Sequence, residues 1–135
     1  MTKYFAAYGA TLAVMLVLDV LWLGFVAKPM YQQGIGHLMA EQPRLLVALA
    51  FYLVYALGLT VFAVVPDAGA GKWQAAAVSG ALFGFFAYAT YDLTNLATLR
   101  NWPIGLAAID MAWGSLVSGV CAGAGRLALD RVAST

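Results

Sequence analysis

Four long apolar runs decide what this chain can fold into. They cover residues 4–27, 45–65, 75–99 and 104–127, and each matches the roughly 20 residues that a helix needs to cross a bilayer. The runs are continuous rather than alternating, and lipid offers no partner for an unpaired backbone group, so helices are expected. The sequence therefore predicts an all-α, integral membrane four-helix bundle that forms one domain over residues 1–135.

Composition supports a membrane location and excludes other classes. Hydrophobic residues make up 64% of the chain and charged residues 10%, against about 45–50% and 25% in soluble domains. A small soluble domain cannot bury that much apolar surface. The net charge of +1 argues against nucleic-acid binding. The lipid bilayer is the predicted partner.

Charged residues mark the predicted loops and span ends: Lys28, Glu41, Arg44, Asp67, Lys72, Arg100, Arg126, Asp130 and Arg131. Four basic residues (Lys3, Lys72, Arg126, Arg131) would lie on the side of the N-terminus, and three (Lys28, Arg44, Arg100) on the opposite side. Basic residues favour the cytoplasmic face. This small excess predicts that both termini are cytoplasmic.

The first loop, residues 28–44, is long enough to hold a short helix lying in the membrane interface. Tyr31, Ile35, Leu38 and Met39 recur there at helical spacing. His37 and Glu41 are four residues apart and would share one helix face, where they would cover a site in the bundle. The alternative is a solvated loop with an ordinary histidine.

Three acidic residues, Asp19, Asp92 and Asp110, lie inside predicted spans. Each costs about 2.5–3.5 kcal/mol at the centre of a membrane helix, and no basic residue is predicted inside a span to pair with them. At a rise of 1.5 Å per residue they lie about 13, 12 and 10 Å from the nearest span boundary. All three would occupy the same half of the bilayer.

Each aspartate also lies on a helix face with other residues suited to a pocket. Trp22 accompanies Asp19, Trp113 accompanies Asp110, and Tyr88, Tyr91 and Asn95 accompany Asp92; these residues are the candidate ligand-binding or proton-binding set. Two interpretations stay open. The groups form either a hydrogen-bonded knot that fixes helix register or a functional pocket.

Two further patterns concern packing and ancestry. Small residues recur in two rows, Ser115, Gly119 and Gly123 on the fourth span and Gly80 and Gly84 on the third. Such rows indicate close helix contacts, either within the bundle or in a homodimer. The spacing Asp-x-x-Trp occurs at Asp19 and again at Asp110, which is too short a match to establish an internal repeat.

Three stretches resemble a known bacterial membrane-protein family, catalogued as domain of unknown function twenty-one seventy-seven. They are Leu18–Gly24 with Ala27–Tyr31, Tyr88–Leu99 with Trp102-Pro103, and Asp110–Gly114. The resemblance covers nearly the whole chain and implies a multi-pass inner-membrane protein of four helices. It implies no catalytic residue, although its motifs contain all three aspartates.

Three functions remain open from the sequence. The first is a module that binds or transports a small solute, a proton or a cation. The second is an intramembrane enzyme that acts on a lipid or isoprenoid with two carboxyl groups as acid and base. The third is an assembly or scaffold subunit. With one cysteine and one histidine, and no nucleotide-binding or metal-ligand motif, we expect no cofactor and no metal.

Overall fold

A computed structural model describes residues 1–66 and 72–135, which contain helices and no strands. The helices are α1 (Thr2–Leu21, continued by a π-helical turn, Trp22–Val26), α2 (Lys28–Ile35, followed by a 3-10 turn, Gly36–Leu38), α3 (Leu45–Leu59, continued by a π-helical turn, Thr60–Val64), α4 (Trp73–Thr98) and α5 (Ile104–Ala133).

The prediction of an all-α membrane protein is confirmed. Three helical segments, Thr2–Val26, Leu45–Val64 and Ile104–Ala133, are long and apolar enough to cross a membrane. The fourth long helix, α4, has 26 residues but carries more polar side chains along its length. It packs with the other three in a bundle, and its crossing of the membrane stays a prediction.

Many large apolar side chains lie on the outside of the bundle. Phe25, Leu46 and Val54 are exposed, whereas the interior combines alanines, glycines and polar groups with a few larger apolar residues such as Met15 and Leu59. Exposed apolar area on this scale suits contact with lipid, and small residues suit close helix contacts.

Helix α5 is the central element, because it packs on α4 along one side and on α1 along the other. The α4–α5 contact is close enough that added side-chain atoms would not fit. A Cβ at Gly84 would overlap the backbone of Gly114 and the side chain of Ser118, and a Cβ at Gly80 would overlap Ala122.

The two helices form an antiparallel hairpin whose turn is centred on Asn101. This residue has a φ of 59°, a left-handed conformation that asparagine tolerates better than most residues. Residues equally far from Asn101 then face each other. Gly84 and Ser118 are such a pair, and the same register places Asp92 opposite Asp110.

The second row of small residues also packs inside the bundle. Ser115 Oγ donates a hydrogen bond of 2.9 Å to the Ala81 carbonyl oxygen. A Cβ at Gly119 would lie 3.0 Å from the Ala77 carbonyl oxygen. This row therefore takes part in the α4–α5 contact, and its role in a homodimer stays a prediction.

A single residue, Ala27, separates helix α2 from the π-helical turn that extends α1. Pro29 stands in its first turn, where a missing N–H has little cost. The helix lies against the start of α5, since a Cβ at Gly34 would be 3.0 Å from Pro103 Cγ. A short helix in the first loop is thus present and covers one end of the bundle.

The placement of Arg126 beside a loop is wrong. Helix α5 continues to Ala133, and Arg126 is 1% exposed. Its Nε donates to Asp130 at 3.0 Å, and its Nη1 donates to the Val64 carbonyl oxygen at 3.3 Å. These bonds allow the guanidinium to be buried near the end of the bundle opposite α2.

Asp67, predicted in the second loop, lies outside the described residues.

The packing predicts different responses to alanine at two glycines. Gly84→Ala should lower the free energy of unfolding by about 1–3 kcal/mol, because the methyl group overpacks the α4–α5 contact. Gly9→Ala is the matched control, since no atom lies within 4 Å of its added Cβ. Denaturant unfolding in detergent micelles, followed by circular dichroism, measures both. Equal stability of the two variants would contradict the close approach.

An intramembrane carboxyl cluster as the candidate functional site

Asp19, Asp92 and Asp110 are all buried, with exposures of 5%, 0% and 6%. Each comes from a different helix, α1, α4 and α5, and each lies near the end of its helix that faces α2 and the α4–α5 turn. Their side chains meet one group of aromatic residues between the helices. The candidate site is therefore this carboxyl cluster, consisting of Asp19, Asp92, Asp110 and the residues that contact them.

Asp19 accepts a hydrogen bond from a tryptophan on a neighbouring helix. The bond joins Trp113 Nε1 to Asp19 Oδ1 at 3.0 Å, and Tyr52 on α3 lies beside the same carboxyl group. A buried carboxyl group needs such donors. The bond ties α1 to α5 at the level of the cluster.

The Trp113 indole also stacks on Trp22. The two rings are parallel within 6°, and their centroids are 4.4 Å apart. The two Asp-x-x-Trp motifs thus lie side by side on the antiparallel helices α1 and α5. The tryptophan of the second motif donates to the aspartate of the first.

Asp110 accepts its hydrogen bond from α2. Tyr31 Oη donates to Asp110 Oδ1 at 2.5 Å. Burial, and next the bond to Asp110, raise the pKa of Tyr31 well above its usual range, so the hydroxyl stays protonated and remains a donor. Trp22 Nε1 lies near this hydroxyl but forms no hydrogen bond with it.

Asp92 is fully buried, and neither of its carboxyl oxygens has a hydrogen-bond partner in the described part of the chain. The Asp110 carboxyl group and the Trp102 indole are its polar neighbours. Trp102 Nε1 is buried too and lacks hydrogen-bond geometry with any acceptor among the described residues. A proton shared between the two carboxyl groups would engage one Asp92 oxygen, and a small polar molecule would be needed to bridge the other oxygen and the Trp102 indole.

No basic side chain neutralises the cluster within residues 1–66 and 72–135. The salt bridge found there joins Arg126 to Asp130, and Arg126 is 16 residues beyond Asp110 on α5, or about 24 Å along the helix. Charge balance at the three aspartates must come from protons or from a bound cation.

A cavity of about 450 Å³ adjoins the cluster. Asp110 is the carboxyl residue among its lining residues, whereas Asp19 and Asp92 are not among them. The other lining residues are mostly aromatic or apolar: Leu23, Tyr31, Phe51, Tyr55, Ala87, Tyr88 and Tyr91. Phe51 and Tyr91 are exposed at its rim, so the cavity opens toward the outer surface of the bundle.

Two tyrosines of this cavity are positioned by α5. The Tyr88 ring packs where a Cβ on Gly114 would be, and the Tyr55 hydroxyl is 2.7 Å from Ser118 Oγ. The two rings meet edge to face, with centroids 6.2 Å apart. Because Asp110, Gly114 and Ser118 are spaced by four residues, one face of α5 organises both walls.

The remaining predicted site residues are Asn95, Tyr91, His37 and Glu41, of which Tyr91 lines the cavity together with Asp110. Asn95 is half-buried one turn beyond Asp92, and Tyr91 is exposed and meets the Trp102 ring edge to face at 5.8 Å. His37 and Glu41 are exposed, and neither forms a hydrogen bond or ion pair with the three aspartates among the described residues. Tyr31 is the first-loop residue that reaches the cluster.

Tyr31, which bonds to Asp110, and Trp102, which lies beside Asp92, are two site residues that the sequence analysis missed. Pro29 signals that a new helix starts there, which would bring Tyr31 back toward the bundle. Trp102 lies in the turn that follows α4. Its place at a span end suggests an interfacial anchor. Its side chain is nevertheless only 7% exposed.

A larger apolar groove of about 870 Å³ runs along the outer side of the α4–α5 contact, next to Trp73, Ala77, Gly119, Gly123 and Leu127. Among the described residues, no carboxyl group lines it, and the hydroxyl of Ser115 is already bonded to Ala81. Its lining suits lipid chains, whereas the polar chemistry lies in the carboxyl cluster.

A comparison with protein families matches residues 4–127 to the family described as "Predicted membrane protein (DUF2177)". The chain belongs to this family. No curated protein and no solved structure matches it significantly. The match includes all three aspartates, Tyr31 and Trp102, so the complete carboxyl cluster lies within the family region.

The Trp113–Asp19 bond is tested by a double-mutant cycle. Trp113→Phe leaves a buried carboxyl group without its donor, so unfolding should become easier by about 1–3 kcal/mol. In an Asp19→Asn background the same change should cost less, since an amide can rotate to find other partners. Trp73→Phe, at an exposed indole, serves as the control. Additive losses in denaturant unfolding would mean that the two residues act independently.

Proposed function

We propose that this protein is a membrane binding module that takes up a small cationic solute or a proton at Asp110, and that it carries this ligand across the bilayer. The observation behind the proposal is that Asp110 belongs to the carboxyl cluster and also lines the 450 Å³ cavity. An ionisable residue inside a membrane bundle that meets a cavity is a typical mark of an ion or substrate pathway.

The charge of the cluster supports a cationic ligand. Three carboxyl groups of one sign share the interior, and no described basic residue pairs with them. An anion would meet repulsion there, whereas a proton or a cation would reduce it. Ligand binding at Asp110 and protonation of the adjoining Asp92 would therefore compete.

The other two functions have weaker support. A scaffold that pairs its acids with a partner's basic residues needs accessible carboxyl groups, and all three are at most 6% exposed. An enzyme would use Asp92 and Asp110 as acid and base. Of these two carboxyl groups, Asp110 lines the cavity and Asp92 is not among its lining residues, so the pair does not face a substrate there together.

The cellular setting is part of the same proposal. The family resemblance points to a bacterial inner membrane, and the basic residues favour cytoplasmic termini. The cavity would then open from the outer half of the bilayer. A homodimer would give so short a chain a longer pathway, and the exposed apolar faces of α1 and α3 leave room for one.

Carbodiimide labelling tests the binding site. Dicyclohexylcarbodiimide reacts with protonated carboxyl groups in apolar surroundings, so it should modify Asp110, the carboxyl residue that lines the cavity. Asp110→Asn should abolish the modification, while Glu41→Gln, which removes an exposed loop carboxyl, should leave it intact. Peptide mass spectrometry locates the label. Labelling that is equal in wild type and Asp110→Asn would refute a protonatable site at this residue.

Proteoliposomes test the transport step separately. With a pH-sensitive dye inside and a potassium diffusion potential, wild-type protein should admit protons faster than empty vesicles do. The Asp110→Asn variant should fall to the empty-vesicle rate, and Glu41→Gln should not. A proton flux that persists in Asp110→Asn would contradict a pathway through this residue. Labelling without flux would reduce the role to binding alone.

A further inference from the structure

We infer that the ligand of the cavity is a monovalent organic cation with an apolar, preferably aromatic, body. This inference rests on the proposed function and specifies its ligand. It follows from three properties of the cavity, namely its volume, the chemistry of its walls and the number of charges that line it.

The volume and the walls favour a compact apolar body. A cavity of about 450 Å³ lies within the range of about 300–1,000 Å³ typical of small-molecule sites. Leu23, Phe51 and Ala87 give it apolar surfaces, and Tyr55 and Tyr88 give it ring faces and edges. Sugars and amino acids need many converging hydrogen-bond partners, and two of the lining hydroxyls, those of Tyr31 and Tyr55, are already engaged.

The lining charge favours a single positive charge on the ligand. Asp110 is the acidic residue among the lining residues, and its hydrogen bond from Tyr31 engages Oδ1. A divalent metal ion needs several converging ligands, and no group of three such residues occurs in the described part of the chain. A carboxyl group surrounded by tyrosine rings is the arrangement that recognises organic ammonium or phosphonium groups.

The rings are held in place before any ligand arrives. Tyr88 occupies the space left by Gly114, and Tyr55 is tied to Ser118 at 2.7 Å. Gly114 is one helical turn from Asp110, and the Tyr88 ring and the Asp110 carboxyl group both line the cavity. We refer to Asp110, Tyr55 and Tyr88 as the aromatic cage. Because these side chains are already in place, ligand binding does not have to order them first.

The test uses tetraphenylphosphonium as the probe and tetraphenylborate, an anion of nearly the same size and shape, as its matched control. Calorimetric titration of protein in lipid nanodiscs, with empty nanodiscs subtracted, should show saturable binding of the cation and none of the anion. Saturable binding of both ions with similar affinity would show that apolar surface alone selects the ligand, and would overturn the inference.

Variants of the cage separate charge from ring contacts. Asp110→Asn and Tyr88→Leu should each weaken tetraphenylphosphonium binding about tenfold or more, whereas Tyr88→Phe, which keeps the ring, should stay within about threefold of wild type. Glu41→Gln should bind like wild type. Size-exclusion profiles and helical circular dichroism check that each variant is folded. Unchanged affinity in a folded Tyr88→Leu variant would refute the aromatic cage.

The inference and the proposed function can fail independently. If carbodiimide labels Asp110 but the phosphonium ion does not bind, the site takes protons or another solute and the ligand class is wrong. If Asp110 is not labelled and Asp110→Asn binds the cation as wild type does, both are wrong. Binding that depends on Tyr88 and Asp110 supports both.

Discussion

The close approach of α4 and α5 is the contact on which the rest of the structure depends. Backbone meets backbone there because Gly80 and Gly84 have no side chain, and no larger residue fits without moving one helix. Membrane helices gain little from burying apolar surface against each other, since lipid is equally apolar, so shape and hydrogen bonds must hold them together. This contact sets the register of the hairpin and thereby brings Asp92 next to Asp110.

Much of this architecture could be predicted from the sequence, because length and continuity of apolar residues decide how a chain behaves in lipid. The same holds for the meeting of α4 and α5 in a hairpin. Asp92 and Asp110 lie nine residues on either side of Asn101, and antiparallel helices with equal rise bring such residues together. The sequence did not decide which face of α3 points inward, because both faces of that helix are almost equally apolar.

The parts that could not be predicted depend on how short segments return to the bundle. Tyr31 belongs to a loop by its position, and only the docking of α2 on Pro103 brings its hydroxyl to Asp110. Arg126 looked like a charge at a span end, yet α5 is long enough to keep it inside, with Asp130 one turn away. Both positions depend on contacts between segments distant in sequence, namely Tyr31 with Asp110 and Arg126 with the Val64 carbonyl oxygen.

The hairpin register has a consequence for how this chain can change in length. An α-helix turns by about 100° per residue, so one residue inserted in α4 between Gly84 and Asp92 would leave the glycine against α5 and swing the aspartate toward lipid. The helix would either lose its packing or lose its carboxyl group from the cluster. We therefore expect insertions and deletions to be tolerated only where they leave that spacing intact, that is, in the turns and at the ends of the helices.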